Sequence, residues 1–281
     1  MRNESRVNPT SEELSNLNST TPATTTSNFN FVTPTEMVPL PSKGRYYPEN
    51  HPLHGKDAIE IKYMTAKEED ILLNQSYLSR GVAIDKLLES VIVDKSIGLK
   101  DLLIGDKNAI VIATRITGYG SEYPAQVVCP QCFQEQLKEF NLENISPRSI
   151  EVSEFAELTD NGTFKITLPK SKRVVEIRLF TGHDEHAISD IAEKRRKNKL
   201  PENNLLTTLA RMIVVVDGTA ERSVIETFVY SMPALDSRYL RKTYESLMPN
   251  VDMTFGFKCD HCACDEEVQM PLTAEFFWDN R

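Results

Sequence analysis

No run of apolar residues in this 281-residue chain approaches the roughly 18 needed to cross a bilayer, so a membrane-spanning helix is not expected. An N-terminal apolar signal segment is also missing, and the cysteines number only five, an odd count that does not suit a disulfide framework. The expectation is a protein of a reducing compartment. Common enzyme signatures are absent: there is no Gly-x-x-x-x-Gly-Lys-Ser/Thr phosphate loop, no Gly-x-Ser-x-Gly elbow and no Gly-x-Gly-x-x-Gly. Nor is there a basic excess, since 32 Lys and Arg face 41 Asp and Glu for a net charge of -9. Nucleic-acid affinity comes largely from neutralising phosphates, so this balance argues against it. The densest cationic stretch, Lys194-Arg195-Arg196-Lys197 with Lys199, follows the apolar positions Ala187, Ile188, Ile191 and Ala192. It reads as cations favoured at a helix C-terminus, with docking of a partner as the alternative.

What is present is more telling. Cys129-Pro-Gln-Cys132 and Cys259-Asp-His-Cys262 form two Cys-x-x-Cys pairs, and two residues between thiolates let a tight turn aim both sulfurs at one point. Each pair sits between apparent strands, Gln126-Val127-Val128 and Leu137 to Leu142 for the first, Met253 to Lys258 and Val268 to Leu272 for the second. The layout predicts a zinc ribbon with Cys129, Cys132, Cys259 and Cys262 as the metal ligands. Four protein thiolates close the coordination sphere, so the zinc is expected to be structural. Cys264 or His261 could take the place of Cys262, although Cys264 is more simply a spare thiol and His261 a solvated turn residue. A thioredoxin-like redox role fits less well, because strands and not a helix flank the first pair. The 126 residues between the pairs mean that one metal would tie mid-chain to C-terminus.

Hydrophobic residues make up 40% and charged residues 26%, an ordinary globular mixture for one large or two modest domains. Residues 1–34 contain 18 Ser, Thr or Asn and are expected to form a disordered tail. Residues 35–122 should hold an extended proline-rich strap (Pro39 to Pro48), a strand from Ala58 to Met64 and several helices. The first helix is opened by a Thr65-x-x-Glu68 capping box, another carries Ile84, Leu87, Leu88 and Val91 on one face, and a third runs from about Asp106 to Arg115. Residues 123–145 form the first cysteine hairpin. Residues 146–250 are read as a β-hairpin, Phe164 to Leu168 and Val174 to Leu179 with an exposed tip at Lys170 to Arg173, followed by a helical block. In that block Leu205 to Val216 reads as a buried helical segment, and Leu240, Tyr244, Leu247 and Met248 as a one-sided stripe closed by Pro249. Residues 251–281 carry the second cysteine hairpin and end near Phe276-Phe277-Trp278, a packed terminus or an aromatic anchor for a partner. The fold class expected is α+β: a helical body with short antiparallel hairpins and a zinc-ribbon-like element joining the mid-chain and C-terminal hairpins.

One constellation invites an enzymatic reading. His183-Asp184-Glu185-His186 with a later Cys-x-x-Cys suggests a zinc deaminase, in which the Glu shuttles protons. Lys258 stands where that motif has proline, and a second complete cysteine pair has no place in it. Asp184 and Glu185 are better placed in the first turn of a helix, with both histidines near the surface.

Several strings occur in a distinctive order: Leu40-Pro41-Ser42-Lys43-Gly44 with Tyr47-Pro48, His51-Pro52-Leu53-His54-Gly55-Lys56 and Met64-Thr65-Ala66-Lys67-Glu68-Glu69-Asp70-Ile71-Leu72. Then follow Val91-Ile92-Val93-Asp94, Asp101-Leu102-Leu103, Gly105-Asp106-Lys107-Asn108-Ala109-Ile110, Gly118-Tyr119-Gly120 before Val128-Cys129-Pro130, and Glu275-Phe276-Phe277-Trp278. Over about residues 38–281 this order resembles the baseplate hub subunits and hub assembly proteins of T-even-like contractile-tailed bacteriophages. The resemblance implies a non-enzymatic virion component or assembly factor, without catalytic residues or a small-molecule substrate. It would act with other baseplate hub or tail proteins in the virion tail, or in the host cytoplasm where the hub is built. The tail before residue 35 is additional to that pattern, and the zinc expectation rests on cysteine spacing alone. A nucleic-acid-associated zinc ribbon is the alternative, opposed by Asp260, Asp265, Glu266 and Glu267 around the second pair.

Overall fold

Pro39 to Pro48 does not lie as an extended strap. In the computed structural model, which describes residues 32–148, 156–270 and 274–277, strand β1 (Thr35–Pro39) pairs antiparallel with β2 (Ala58–Lys62), and the proline-rich segment between them folds into successive turns. Lys43 and Gly44 both adopt positive φ, 52° and 67°. At Gly44 an added Cβ would stand 2.4 Å from the Leu53 carbonyl oxygen, so only glycine fits there. Leu40, Tyr47 and Leu53 are buried. The segment is part of the protein's own core, and its turns are fastened by one acid. Asp106 accepts from the Ser42 amide (2.9 Å), the Ser42 hydroxyl (2.5 Å) and the Tyr47 hydroxyl (2.7 Å), while the Tyr47 oxygen accepts from the Leu103 amide (3.0 Å). Burial raises the Asp106 carboxyl above its ordinary range, against the pull of these hydrogen bonds.

Helix α1 (Ala66–Leu73) starts on the capping box read from sequence, with Glu68 reaching back to the Thr65 amide at 3.1 Å. The same buried carboxylate pairs with Lys62 at 2.7 Å and accepts from the Ser90 hydroxyl at 2.6 Å. Burial opposes its ionisation, but Lys62, Ser90 and Thr65 outweigh that effect and lower its pKa to about 2. Because the folded pKa lies below the ordinary 4.5, Glu68 contributes stability above about pH 4.5, and that contribution fades as the pH falls towards 2. The Tm gap between wild type and Glu68→Gln is therefore expected to narrow steadily on acidification through this window. A gap independent of pH would contradict the assignment.

A short helix α2 (Gln75–Ser79) leads to α3 (Ala83–Val91), whose Leu87, Leu88 and Val91 are buried as their spacing predicts. Helix α4 (Ile104–Tyr119) extends beyond the expected Asp106 to Arg115 at both ends. Ala109, Ile110, Val111 and Ile112 are all buried, so it runs through the core with apolar residues on every side.

The expected β-hairpin belongs to a larger sheet of order β6-β7-β8-β9, made from β6 (Ala156–Leu158), β7 (Phe164–Thr167), β8 (Val174–Ile177) and β9 (Ile213–Val216), all antiparallel. The Leu205 to Val216 expectation of a buried helix holds only in part. Its first part lies in α6 (Asn204–Met212), with Leu205 exposed, and its second part is strand β9. Ile213-Val214-Val215-Val216 is a run of four β-branched residues, stiff at χ1 and suited to a pleated surface, and β8 offers an edge for it. The hairpin tip is exposed at Lys170, Lys172 and Arg173 as expected, but its backbone is held. After α5 (Gly182–Lys197) and α7 (Arg222–Ser231) comes α8 (Ala234–Leu247), and its Asp236 accepts from the Lys170 and Ser171 amides at 2.7 and 2.8 Å. Leu240, Tyr244 and Leu247 are buried as the stripe predicts, and the Tyr244 hydroxyl accepts from the Phe180 amide at 3.0 Å.

The protein is thus a mixed α+β fold of eight helices and short antiparallel pairings among the described residues, the shortest being β5 (Pro147–Arg148) with β10 (Asn250–Val251). None of these helices is long and apolar enough to cross a membrane. Phe276 and Phe277 are buried, which supports the packed-terminus reading for them. Trp278 and the Ser/Thr/Asn-rich stretch of residues 1–31 lie outside the described residues.

Candidate metal centre

Two hairpins build the centre. Strand β3 (Glu122–Val128) pairs with β4 (Glu135–Asn141), the ladder closing at Val128 opposite Glu135, and β11 (Thr254–Lys258) pairs with β12 (Asp265–Gln269), closing at Lys258 opposite Asp265. The outgoing strand of the second hairpin starts three residues before the expected Val268, because a solvated two-stranded ribbon accepts Asp265, Glu266 and Glu267 as strand residues. The two cysteine turns repeat one geometry. The Cys129 amide donates to the Gln134 carbonyl at 3.0 Å, and the Cys259 amide to the Cys264 carbonyl at 2.8 Å. The residue after each pair turns left-handed, Phe133 at φ 58° and Ala263 at φ 56°. Neither is the glycine that such a position favours. Ala263→Gly is expected to raise stability by about 0.5–1 kcal/mol with metal content unchanged, read as a Tm shift; a fall in Tm would contradict this.

The turns bring four thiols together. The sulfurs of Cys129, Cys132, Cys259 and Cys262 all lie within 4.8 Å of one another and can hold a metal ion. Across the two hairpins, Cys129 and Cys262 are 3.6 Å apart and Cys132 and Cys259 are 3.7 Å apart. A regular tetrahedron with metal–sulfur arms of about 2.3 Å has edges of about 3.8 Å, so these separations fit a zinc-sized thiolate site. Cys264 is buried but outside this group, and burial, with the charge of Glu266, pushes its thiol up to about 11. His261 is exposed and offers the group only its backbone amide, which donates to the Cys259 sulfur at 3.3 Å.

Sequence reasoning missed Gln136. Its amide nitrogen donates to the Cys259 sulfur at 2.9 Å and its oxygen accepts from the Asp260 amide at 2.9 Å, so one side chain spans both hairpins. Burial opposes ionisation of Cys259, yet the amides of Cys262 and His261 and the Gln136 side chain outweigh it and lower that thiol to about 6. Gln136 is 8% exposed while its neighbour Leu137 is 63% exposed, the inverse of their polarity. Strand alternation back from the buried Phe140 could have flagged the position, but only the thiol explains a buried glutamine there. Around the cluster, Phe140 packs against Phe255 in a tilted pair with ring centres 5.1 Å apart, and an exposed Lys138–Asp260 pair closes the rim at 2.7 Å.

The His183 to His186 string does not join the cysteines. Asp184 is buried in an ion pair with Arg178 at 2.5 Å, Glu185 meets Lys107 at 2.8 Å, and the two histidines face Asp101 and Asp85. Among the described residues the four cysteines make the one cluster suited to a metal, so a deaminase centre has no geometric support.

A family model described as T4 bacteriophage base plate protein matches residues 38–278. No match is found among curated proteins or among solved structures.

Proposed function

The chain belongs to the T4 bacteriophage base plate protein family, and from that premise we propose that it serves as a hub subunit or hub assembly protein of a contractile tail. Family membership gives it a structural part in a phage baseplate, in the virion tail and among other phage tail proteins. The finer reading has two parts. Cys129, Cys132, Cys259 and Cys262 would hold one zinc ion, which as a closed thiolate site contributes folding energy and no open position for substrate. The paired hairpins then form a rigid platform against which neighbouring hub proteins assemble, during construction in the host cytoplasm. The single observation that supports this most is the convergence of the four sulfurs across 126 intervening residues.

The platform face carries exposed apolar side chains from the first hairpin, Val128, Phe133 and Leu137. The proline-rich segment is not taken as the contact, because its Leu40 and Tyr47 are buried in the protein's own core. Acidic Asp260, Asp265, Glu266 and Glu267 on the second hairpin oppose a nucleic-acid role. Quantitative mass spectrometry of purified tails and of infected-cell lysate tests the reading. Stoichiometric presence in tails supports a subunit, and presence only in assembly intermediates supports an assembly factor. Absence from both overturns the proposal.

A further inference from the structure

Three arginines from three separate elements line one cleft of about 330 Å3: Arg178 after β8, Arg211 in α6 and Arg222 at the start of α7. The apolar wall is Ile213 and Val214 of the edge strand β9 with Ile225. Such a concentration of guanidinium groups is unexpected in a chain of net charge -9. Neighbouring carboxylates satisfy two of the three. Asp184 is taken by Arg178 through two hydrogen bonds of 2.6 and 2.5 Å, and also accepts from the Thr181 amide at 3.1 Å. Arg222 spends its Nε on Glu226 at 2.9 Å and one further nitrogen on the Ala210 carbonyl. Arg211 is left over. Its polar contact among the described residues is a single long one, 3.5 Å to Asp184, and its Nε is buried without a partner.

A buried donor without an acceptor costs about 1–3 kcal/mol, more when charged, and calls for an explanation. The geometry points to a docking site for an acidic segment of a neighbouring tail protein, whose Asp or Glu carboxylate enters the cleft and pairs with Arg211. A carboxylate matches the planar fork of a guanidinium and supplies the acceptor that Arg211 lacks. With 29% of its side chain exposed, Arg211 has room to swing towards it. A second cleft shares Arg211 and Arg222 and adds Tyr230, 82% exposed, beside Val229 and Leu206, so apolar residues flanking the acid have a surface to cover. A phosphate chain fits less well, since Asp184 and Glu226 interrupt the cations and Ile213, Val214 and Ile225 offer it nothing. The site deepens the baseplate reading, on which the identity of the partner as a tail protein rests.

The test is a fluorescence anisotropy titration of the full-length protein with a short labelled peptide of alternating glutamate and valine. The expected result is saturable binding that Arg211→Gln weakens about tenfold or more, Arg211→Lys weakens less, and added salt reduces. Arg222→Gln, at a more exposed residue, is expected to weaken it as well and decides the matter should Arg211→Gln not fold. Equal binding by wild type and both glutamine variants overturns the proposal. So does equal binding of a lysine–valine peptide, or tighter binding of oligothymidylate. Presence of the protein in tails is measured independently, so the docking site and the baseplate reading can fail separately.

Discussion

Cys129→Ser is expected to lose the bound metal and to lower the Tm by at least about 10 °C. Closed four-thiolate zinc sites contribute roughly 10 kcal/mol or more to folding, and a chain of this size shifts by about 2–4 °C per kcal/mol. Among the described residues little else joins the two hairpins with comparable strength. The Gln136 hydrogen bond to Asp260 and the Phe140–Phe255 contact remain, and the exposed Lys138–Asp260 pair is worth at most about 1 kcal/mol. The damage should therefore be local before it is global. Hydrogen exchange is expected to rise first in β11 and β12 and least in the β7–β8 pairing, whose Phe164, Ile166, Val175 and Ile177 are fully buried. Chelation of the wild type should reproduce the shift. Cys264→Ser, outside the four-sulfur group, should leave zinc content intact. An unchanged Tm and metal content in Cys129→Ser would remove the metal from the account.

Asp106→Ala is expected to cost about 3 kcal/mol or more, as one small side chain serves three buried donors. Its loss strands the Ser42 amide, the Ser42 hydroxyl and the Tyr47 hydroxyl at once, each at about 1–3 kcal/mol. The consequence reaches beyond α4, because those donors hold the turns that place Leu40, Tyr47 and Leu53 in the core. Asp106→Asn retains an acceptor and is expected to lose roughly half as much. Denaturant unfolding of the two variants checks both the size and the order of these effects. A substitution to alanine within about 0.5 kcal/mol of wild type would show that the segment is held by apolar burial alone.

The contrast between these two sites explains what could be read in advance. Cys129, Cys132, Cys259 and Cys262 announce themselves, because two-residue spacing and a thiol preference are local constraints that survive in the sequence. Thr65 with Glu68, and the stripes Leu87-Leu88-Val91 and Leu240-Tyr244-Leu247, are local for the same reason. Ser42 and Asp106 are 64 positions apart and share no pattern. A partnership between a turn and a helix start is set by tertiary approach, so the segment read as an external strap proved internal. The misreading of Ile213 to Val216 has a related cause: a short apolar run fits helix or strand equally, and only the free edge of β8 decides. Gln136 was hidden by its own polarity, buried against a sulfur while Leu137 faces solvent. The arginine cleft was invisible because Arg178, Arg211 and Arg222 meet only after β8, α6 and α7 have packed.

The most direct test of a metal-closed platform is zinc K-edge absorption spectroscopy on the purified protein. The account predicts one zinc per chain in a shell of four sulfurs at about 2.3 Å, with no light-atom ligand. A shell containing nitrogen or oxygen, or a protein that folds and assembles without zinc, would contradict it.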